Sequence, residues 1–540
     1  MTGIRRSRFL LVIAITLGLA AAAWAEGIFP VNDPGNGIWV FDQPSVTAYG
    51  SVLHVAFVGN DAAGVFNADN TVNTSLNTRL YYAAVNEGAD FTNKVTTRSQ
   101  VLLTAAVAID NALFHQARHP QIALLSATEL AILFQAIPSD GTAVGPKLFL
   151  ARLTINNDTV TSQRVTEIRD AAGARIPGNL TDPSFGFVVS DNTLRVAFSS
   201  SPSLVAGSPY SDVYYARVGW DSALVVNNTI LLNTASSAGV SALPRLRLDS
   251  NNYGHIVWAA DNTDSTSPAT IYYAMVHAVA PSVVDNLAIG ATQVLIGGYH
   301  WGFPNILVTS PSAIWILAAA ESPFGVSAGL AGPVGISEIN PYAVTQDGNP
   351  VNVNNVGPNT SFFRNAPGLS VLSGDFDAYQ PEVALDSQNR MHIAGYGFRS
   401  NAPPYPGTPG RYYVMSLGTT ASGVGTTAVF ASMVASPVSV GNGDVAFAEQ
   451  LPGDYTRPAF EHFSGKSVHF WSGPDNVVAG ARNLYVTSTF SPADPTKQSG
   501  CSMVDDPRSG EAGRIPGAAV LLLPAALLAL RRAARKAFAR

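Results

Sequence analysis

The sequence has few charged residues, a single cysteine and no long amphipathic helix. Of its 540 residues, 13% are charged and the formal net charge is −6, whereas an average globular protein has roughly 25% charged residues. Without a basic patch, this balance excludes the electrostatic footprint of a nucleic-acid-binding protein. One cysteine cannot form an internal disulfide, so the chain is not a disulfide-stabilised scaffold. Because no long central segment has the 3.6-residue periodicity of a capped helix, we expect an all-β domain.

What the chain has instead is a repeat built around a proline. Seven prolines, 60 to 77 residues apart, are each followed two positions later by a large apolar residue. Short runs of β-branched and aromatic residues follow, separated by turn residues, as four successive strands would require. The fourth repeat shows the pattern clearly, with its second strand at 255–258 and its third at 271–276. The seven prolines are Pro44, Pro120, Pro183, Pro244, Pro304, Pro381 and Pro458.

A repeat of this size and content predicts a β-propeller. One four-stranded unit of about 60 residues is marginal alone and leaves two apolar faces open. A ring of such units buries both faces and leaves only short edges. We therefore expect a seven-bladed β-propeller of four-stranded blades over residues 26–490, with each proline at the head of a first strand. The last repeat lacks a fourth strand, so we expect residues 37–41 to supply it and close the ring.

The N-terminus has the features of a secretory signal peptide. Residues 1–25 combine a basic start with an apolar core at 9–22 and the cleavage site Ala23-Trp24-Ala25. We expect cleavage between Ala25 and Glu26, and hence an exported protein.

The C-terminus carries a cysteine, an apolar run and a basic tail in that order. A polar linker at 491–513 contains Cys501, and residues 514–540 hold 16 consecutive apolar residues at 515–530 followed by five basic ones. The run predicts a transmembrane helix whose basic end stays in the cytoplasm. The order resembles the tripartite sorting signals of Gram-negative bacteria, of the MYXO-CTERM or JDVT-CTERM kind. That resemblance implies a C-terminal processing protease and anchoring in the cell envelope or on the cell surface, through Cys501, a lipid or the helix. A plain membrane anchor with an incidental cysteine is the alternative.

The repeats resemble the sialidase-like (BNR-type) β-propellers of exported bacterial proteins. The similarity covers roughly residues 40–490 and is greatest at Leu248–Trp258 and Leu385–Ile393. It implies the fold, and a glycosidase activity only where the family's motifs are kept. Arg247 stands where the Asp-box serine would be, and the Arg-Ile-Pro tripeptide at 175–177 lies far from the mature N-terminus. Neither a Tyr/Glu nucleophile pair nor two opposed carboxylates can be located, so no catalytic residue is predicted.

Polar residues flank the repeated prolines and form the candidate ligand site. In a propeller these positions crowd one mouth of the axial channel. The set has two interpretations, a ring that binds a polar ligand or a solvated rim that bonds neighbouring blades. Its members are His119, Gln121, Asp182, Arg245, Asn305, Glu382 and Arg457.

Four histidines, at 54, 255, 392 and 469, share one position at the start of the second strand. Because they belong to four different blades, they cannot converge on one metal ion. We expect each to bond the adjacent turn of its own blade, and we predict neither a metal nor a cofactor. The sequence thus favours a binding or display module whose partner is a carbohydrate or an envelope protein. A sialidase-like glycoside hydrolase and a structural surface protein without a specific ligand are the two alternatives.

Overall fold

The computed structural model describes most of the repeat region and neither end of the chain. The signal peptide, Arg457, the linker with Cys501 and the apolar run lie outside the described residues. Within the described part, no helix is long and apolar enough to cross a membrane. The described residues are 29–31, 39–40, 44–50, 52–60, 78–86, 95–97, 113–143, 145–156, 159–202, 204, 211–220, 226–232, 239–262, 270–277, 286–295, 301–320, 334–344, 350–356, 376–385, 391–399, 411–420, 423–432, 459–463, 466–474 and 482–490.

The described residues form 29 strands, which confirms the all-β prediction. In chain order they are β1 Phe29–Pro30, β2 Trp39–Val40, β3 Ser45–Tyr49, β4 Val52–Asn60, β5 Arg79–Asn86, β6 Val95–Thr97, β7 Phe114–Ser126, β8 Glu129–Pro138, β9 Lys147–Asn156, β10 Thr159–Glu167, β11 Asn179–Val188, β12 Thr193–Ser201, β13 Asp212–Gly219, β14 Val226–Leu231, β15 Gly239–Leu248, β16 Gly254–Asn262, β17 Thr270–His277, β18 Asn286–Leu295, β19 Trp301–Ser310, β20 Ala313–Ala320, β21 Val334–Val344, β22 Pro350–Val356, β23 Phe376–Leu385, β24 Met391–Arg399, β25 Arg411–Thr420, β26 Gly423–Ser432, β27 Ala459–Phe463, β28 Lys466–Pro474 and β29 Arg482–Phe490.

These strands assemble into seven antiparallel sheets that follow the order of the repeats. Sheet 1 contains β2 to β6. Sheets 2 to 6 each contain four consecutive strands, from β7–β10 to β23–β26, and sheet 7 contains β27 to β29 together with β1. From sheet 2 to sheet 7 the first strand of each sheet contacts the first strand of the next, and β3 of sheet 1 contacts both β7 of sheet 2 and β27 of sheet 7. The sheets therefore follow one another in a closed cycle.

The N-terminal segment closes this cycle, although through different residues from those expected. Phe29 and Pro30 pair with Val486 and Tyr485 of β29 and so complete sheet 7. Of the predicted residues 37–41, Trp39 and Val40 are described, and they pair with β4 in sheet 1. The prediction for 37–41 was wrong. Val31 explains why residues 29–30, rather than 37–41, join sheet 7. Its N–H donates to the Leu484 carbonyl at 2.6 Å, and its buried side chain packs between sheets 7 and 1.

The core lies between neighbouring sheets rather than on one side of each. In β5, Tyr81 packs in the apolar cluster shared with sheet 7, whereas Tyr82 packs in the cluster shared with sheet 2. Both tyrosines are fully buried. Successive side chains of a strand point to opposite faces, so a strand buried on both faces has a nearly continuous apolar run. The tyrosine pairs of the third strands have this pattern because each sheet packs against a neighbouring sheet on both of its faces.

In sheets 2 to 6 the repeated prolines lie at bulges inside the first strands rather than at their heads, whereas Pro44 directly precedes β3 as expected and Pro458 lies outside the described residues. In sheets 2 to 6 the pairing of the first strand with the second shifts register across the proline, as between Thr181 and Ser184 in sheet 3. Proline donates no ladder hydrogen bond, and a bulge is one of the few places inside a sheet that tolerate it. In these five sheets the repeated proline thus marks a point where the first strand leaves regular pairing.

Candidate functional site

The bulges place the residue before each proline in an unusual backbone conformation. In four consecutive sheets this residue has a positive φ, between 51° and 57°. The left-handed region costs a residue other than glycine roughly 1–2 kcal/mol, and it recurs here at equivalent positions. The four residues all line the same pocket, and they are His119, Asp182, Leu243 and Phe303.

This pocket lies where the first strands of sheets 2 to 5 approach one another. Its interior volume of ≈ 10 Å³ has room for about one water molecule, and one side is open to solvent. Four of the seven predicted ring residues are brought together in it: His119, Gln121, Asp182 and Arg245. The other lining residues are Pro183, Leu243, Pro244 and Phe303. The pocket therefore combines four apolar side chains, two of them prolines, with polar groups from three sheets.

Asp182 is the most heavily bonded group of the pocket. Its Oδ1 lies 3.1 Å from His119 Nδ1, a contact that joins sheets 2 and 3. The Thr181 hydroxyl donates to Oδ2 at 3.1 Å, and the backbone N–H of Asp182 donates to Gln135 Oε1 at 2.7 Å. Burial raises the pKa of Asp182, while the Thr181 hydrogen bond and the Arg245 charge oppose the rise. The carboxyl group is thus fixed in place and easier to protonate than an exposed aspartate.

Arg245 brings a buried positive charge to the same pocket. It is 9% exposed and lines the pocket. Among the described residues its guanidinium makes neither a hydrogen bond nor an ion pair within 4.0 Å. Burial lowers the pKa of Arg245 to about 10, and the nearby charge of Glu382 opposes the fall. An arginine has five N–H donors, and those of Arg245 remain available to a bound molecule.

Asn305 and Glu382 form a separate pair beside the pocket. Asn305 Nδ2 donates to Glu382 Oε2 at 2.8 Å and joins sheets 5 and 6. Asn305 Oδ1 accepts from the Ile306 N–H at 2.9 Å. Burial raises the pKa of Glu382, and the Arg245 charge opposes the rise. Neither residue lines the pocket, but the charge of Glu382 raises the pKa of Arg245, which does line it.

Two serines that follow repeated prolines bond the next sheet. Ser184 Oγ accepts from the Leu246 N–H at 2.9 Å, and Ser45 Oγ accepts from the Ile122 N–H at 3.0 Å. Each first strand is an edge strand, and the backbone N–H groups on its free side need an acceptor. The positions flanking the prolines therefore divide between pocket residues and inter-sheet contacts.

Sequence reasoning missed three residues of the site, namely Leu243, Phe303 and Gln135. Leu243 and Phe303 precede prolines, as His119 and Asp182 do, so comparing that one position across the repeats would have found them. Gln135 lies on the second strand β8 and holds the Asp182 backbone, a contact for which the sequence has no signal.

Of the four second-strand histidines, the two whose side chains are described bond tyrosines of the third strands. His54 Nδ1 lies 2.6 Å from Tyr82 Oη, and His255 Nδ1 lies 2.7 Å from Tyr273 Oη. His255 Nε2 approaches Asp249 Oδ2 of the turn at 3.4 Å without forming a hydrogen bond, so the bond of His255 is to the tyrosine rather than to the turn. Within the described residues, no three metal-ligating side chains come together.

The arginine of the Arg-Ile-Pro tripeptide is already engaged by two acids. Arg175 Nε donates to Glu167 Oε1 at 2.6 Å, and its Nη2 donates to Asp140 Oδ2 at 2.8 Å. These hydrogen bonds raise the pKa of Arg175 above its ordinary value and hold that of Asp140 well below its ordinary value. The connection between sheets 2 and 3 is thereby tied to the β8–β9 turn, which is a structural role.

Comparison with known proteins gives low similarity throughout. No family model matches the chain, and no curated protein matches it. A protein of unknown function from Dyadobacter fermentans is 11% identical over 71% of this chain and 96% of its own, with a TM-score of 0.40. A Trypanosoma rangeli sialidase is 8% identical over 69% and 55%, with a TM-score of 0.36. An endo-1,5-alpha-L-arabinanase from Thermotoga petrophila is 11% identical over 86% and 100%, with a TM-score of 0.32. Likeness of this size supports no conclusion about activity.

Proposed function

We propose that this chain is an exported seven-bladed β-propeller, anchored in the cell envelope, that binds a small polar ligand at one mouth of its axial channel. Seven antiparallel sheets in a closed cycle support the blade count, with residues 26–490 as the propeller. The two ends of the sequence support export and anchoring, with 1–25 as signal peptide, 491–513 as linker and 514–540 as membrane helix and basic tail.

A single observation carries the binding role. His119 and Gln121 of sheet 2, Asp182 of sheet 3 and Arg245 of sheet 4 converge on one pocket beside the apolar Phe303 of sheet 5. Small-molecule sites typically combine apolar walls with a few convergent polar groups. A carbohydrate offers hydroxyl groups that both donate and accept hydrogen bonds, which suits a pocket holding an arginine, a carboxyl group and an amide.

The binding role is tested by screening the full chain in mild detergent on an array of bacterial and host glycans. A carbohydrate that binds the parent protein should lose affinity about tenfold or more in His119→Ala, which removes the partner of Asp182 and a lining side chain. His115→Ala is the matched control, because His115 lies on the same strand outside the pocket. Equal affinity in the two variants would refute the pocket as the binding site. Absence of any bound glycan would favour a structural surface protein.

A glycoside hydrolase is the second candidate, and one observation favours it. Asp182 and Glu382 are two partly buried carboxyl groups, each with a pKa raised by burial, and both act on the charge of Arg245. A raised pKa is what a general acid needs. We nevertheless expect no release of sialic acid from common glycoconjugates, because the nucleophile pair of sialidases is missing from the sequence pattern. Turnover that disappears in Glu382→Gln would establish the hydrolase instead.

A further inference from the structure

Neighbouring first strands run side by side in the same direction. Residues at matching positions relative to the repeated proline meet across the sheets, as His119 meets Asp182 at 3.1 Å and Ser184 Oγ meets the Leu246 N–H at 2.9 Å. The residues that precede the prolines and line the pocket all lie in the first half of their strands, which are β7, β11, β15 and β19. The ring of sheets therefore has a pocket end, where the first strands begin, and a turn end, where the first strands lead into the second strands.

The chain leaves the last sheet at the turn end. Phe470 of β28 pairs with Ala459, the first residue of β27, and with Val486 of β29, so these three residues lie at one level. Beyond Val486, β29 continues to Phe490, which pairs with Lys466 beside the turn between β27 and β28. The step from 486 to 490 carries the chain roughly 13 Å towards the turn end. Strand β1 is antiparallel to β29, so the N-terminal end of β1 points the same way.

From these strand directions we infer that the turn end faces the membrane and that the pocket opens away from it. The inference rests on the proposed anchoring function and adds which surface of the ring meets the lipid headgroups. The two segments for which the sequence predicts contact with the membrane, 1–25 and 514–540, lie beyond the ends of β1 and β29 that point to the turn end. A ligand in the medium then reaches the pocket without passing the membrane surface.

The length of the linker limits how far the ring can turn over. A flexible chain as long as residues 491–513 has a root-mean-square span of roughly 24–29 Å. A ten-residue strand such as β11 is roughly 33 Å long, so this span is shorter than the distance between the two ends of the ring. A linker that starts at the turn end therefore keeps that end nearer to the membrane than the pocket end.

Two exposed apolar side chains at the turn end support this orientation. Val189, in the turn between β11 and β12, is 75% exposed, and Tyr49, at the end of β3, is 43% exposed. Tyrosine is enriched at membrane–water interfaces, and contact with lipid removes the apolar area of a valine from water. Among the described residues, Leu113 is the third large apolar residue with such exposure, and it precedes β7 at the pocket end. Leu113 thus provides a matched position for a probe.

The test uses the full chain reconstituted in vesicles of phosphatidylethanolamine and phosphatidylglycerol. Val189→Cys and Leu113→Cys, each combined with Cys501→Ser, place a single thiol at the turn end or at the pocket end, while residues 515–530 still hold the chain. Each thiol receives the same fluorophore, and quenching by a nitroxide on the lipid headgroups is measured. We expect quenching at 189 to be about threefold or more stronger than at 113, because the two ends are roughly 33 Å apart. Equal quenching, or stronger quenching at 113, would overturn the inference.

Two controls separate this inference from the proposed function. A full chain that does not float with the vesicles in a density gradient would refute the anchoring on which the inference rests. A chain that floats but shows no difference between the two labels would keep the anchoring and overturn the orientation. Lengthening the linker by about 60 Gly and Ser residues after Ser499 raises its root-mean-square span to roughly 50 Å and should reduce the difference between the labels. A difference of unchanged size would overturn the linker as the cause of the orientation.

Discussion

Ser184 offers a direct test of how the inner edges of the sheets are stabilised. Its buried hydroxyl is the acceptor for the Leu246 N–H of the next sheet, at 2.9 Å. Ser184→Ala removes the acceptor and leaves that N–H buried on the free side of β15. An unsatisfied buried donor costs about 1–3 kcal/mol, so we expect the free energy of unfolding to fall by that amount.

Two further serines give comparison values for this loss in the free energy of unfolding. Ser45 makes the equivalent contact to Ile122, but in a partly buried setting, so Ser45→Ala should cost about 0.5–1.5 kcal/mol. Ser162 donates to the Thr154 hydroxyl on the exposed surface of sheet 2, and Ser162→Ala should stay within about 0.5 kcal/mol of the parent protein.

The assay is urea unfolding followed by tryptophan fluorescence. Trp258 and Trp315 are buried in sheets 4 and 5 and report on their opening. If Ser184→Ala and Ser162→Ala lower the urea midpoint equally, the account of the inner edges is wrong. A changed slope in Ser184→Ala would show that unfolding is no longer cooperative, and hydrogen exchange at Leu246 would then be the relevant measurement.

Three other predictions follow from the same contacts. Tyr273→Phe removes the hydroxyl at 2.7 Å from His255 Nδ1 and should destabilise the protein by about 1–3 kcal/mol in urea unfolding, since the ring nitrogen stays buried; no change would mean that another group satisfies it. Because burial raises the pKa of Asp182 and Glu382 in the folded state, the native protein holds more protons than the unfolded chain from the ordinary carboxyl pKa upward. The free energy of unfolding should therefore fall as the pH rises through that window, and Glu382→Gln should flatten the profile. Mass spectrometry of the protein from its native host should show an N-terminus at Glu26 and a C-terminus near Gly500 or Cys501. An intact chain ending at Arg540 with unchanged location in Cys501→Ala would leave only a plain anchor.

The sequence by itself determined the strand content, the order of the repeats and the positions around which the pocket forms. Alternation of apolar residues is a local property, and burial on both faces leaves a continuous apolar run such as Leu80–Val85. In sheets 2 to 6 the proline recurs where the first strand leaves regular pairing. Both signals can be read without knowing where any other segment lies.

Only the tertiary structure decided which polar residues meet and which segment closes the cycle. Asp182 meets His119 across 63 positions of sequence because neighbouring first strands approach each other. The identity of the closing strand was also beyond the sequence, since Phe29–Pro30 and Trp39–Val40 are both short enough to pair with either end sheet. The buried position of Val31 selects between them. The electrostatics at Arg245 also depend on the tertiary structure, because burial and the charges of residues from other sheets set its pKa. Local pattern specifies strands, whereas contacts distant in sequence set the electrostatics of the site, because burial and Coulomb interactions depend on distance in space.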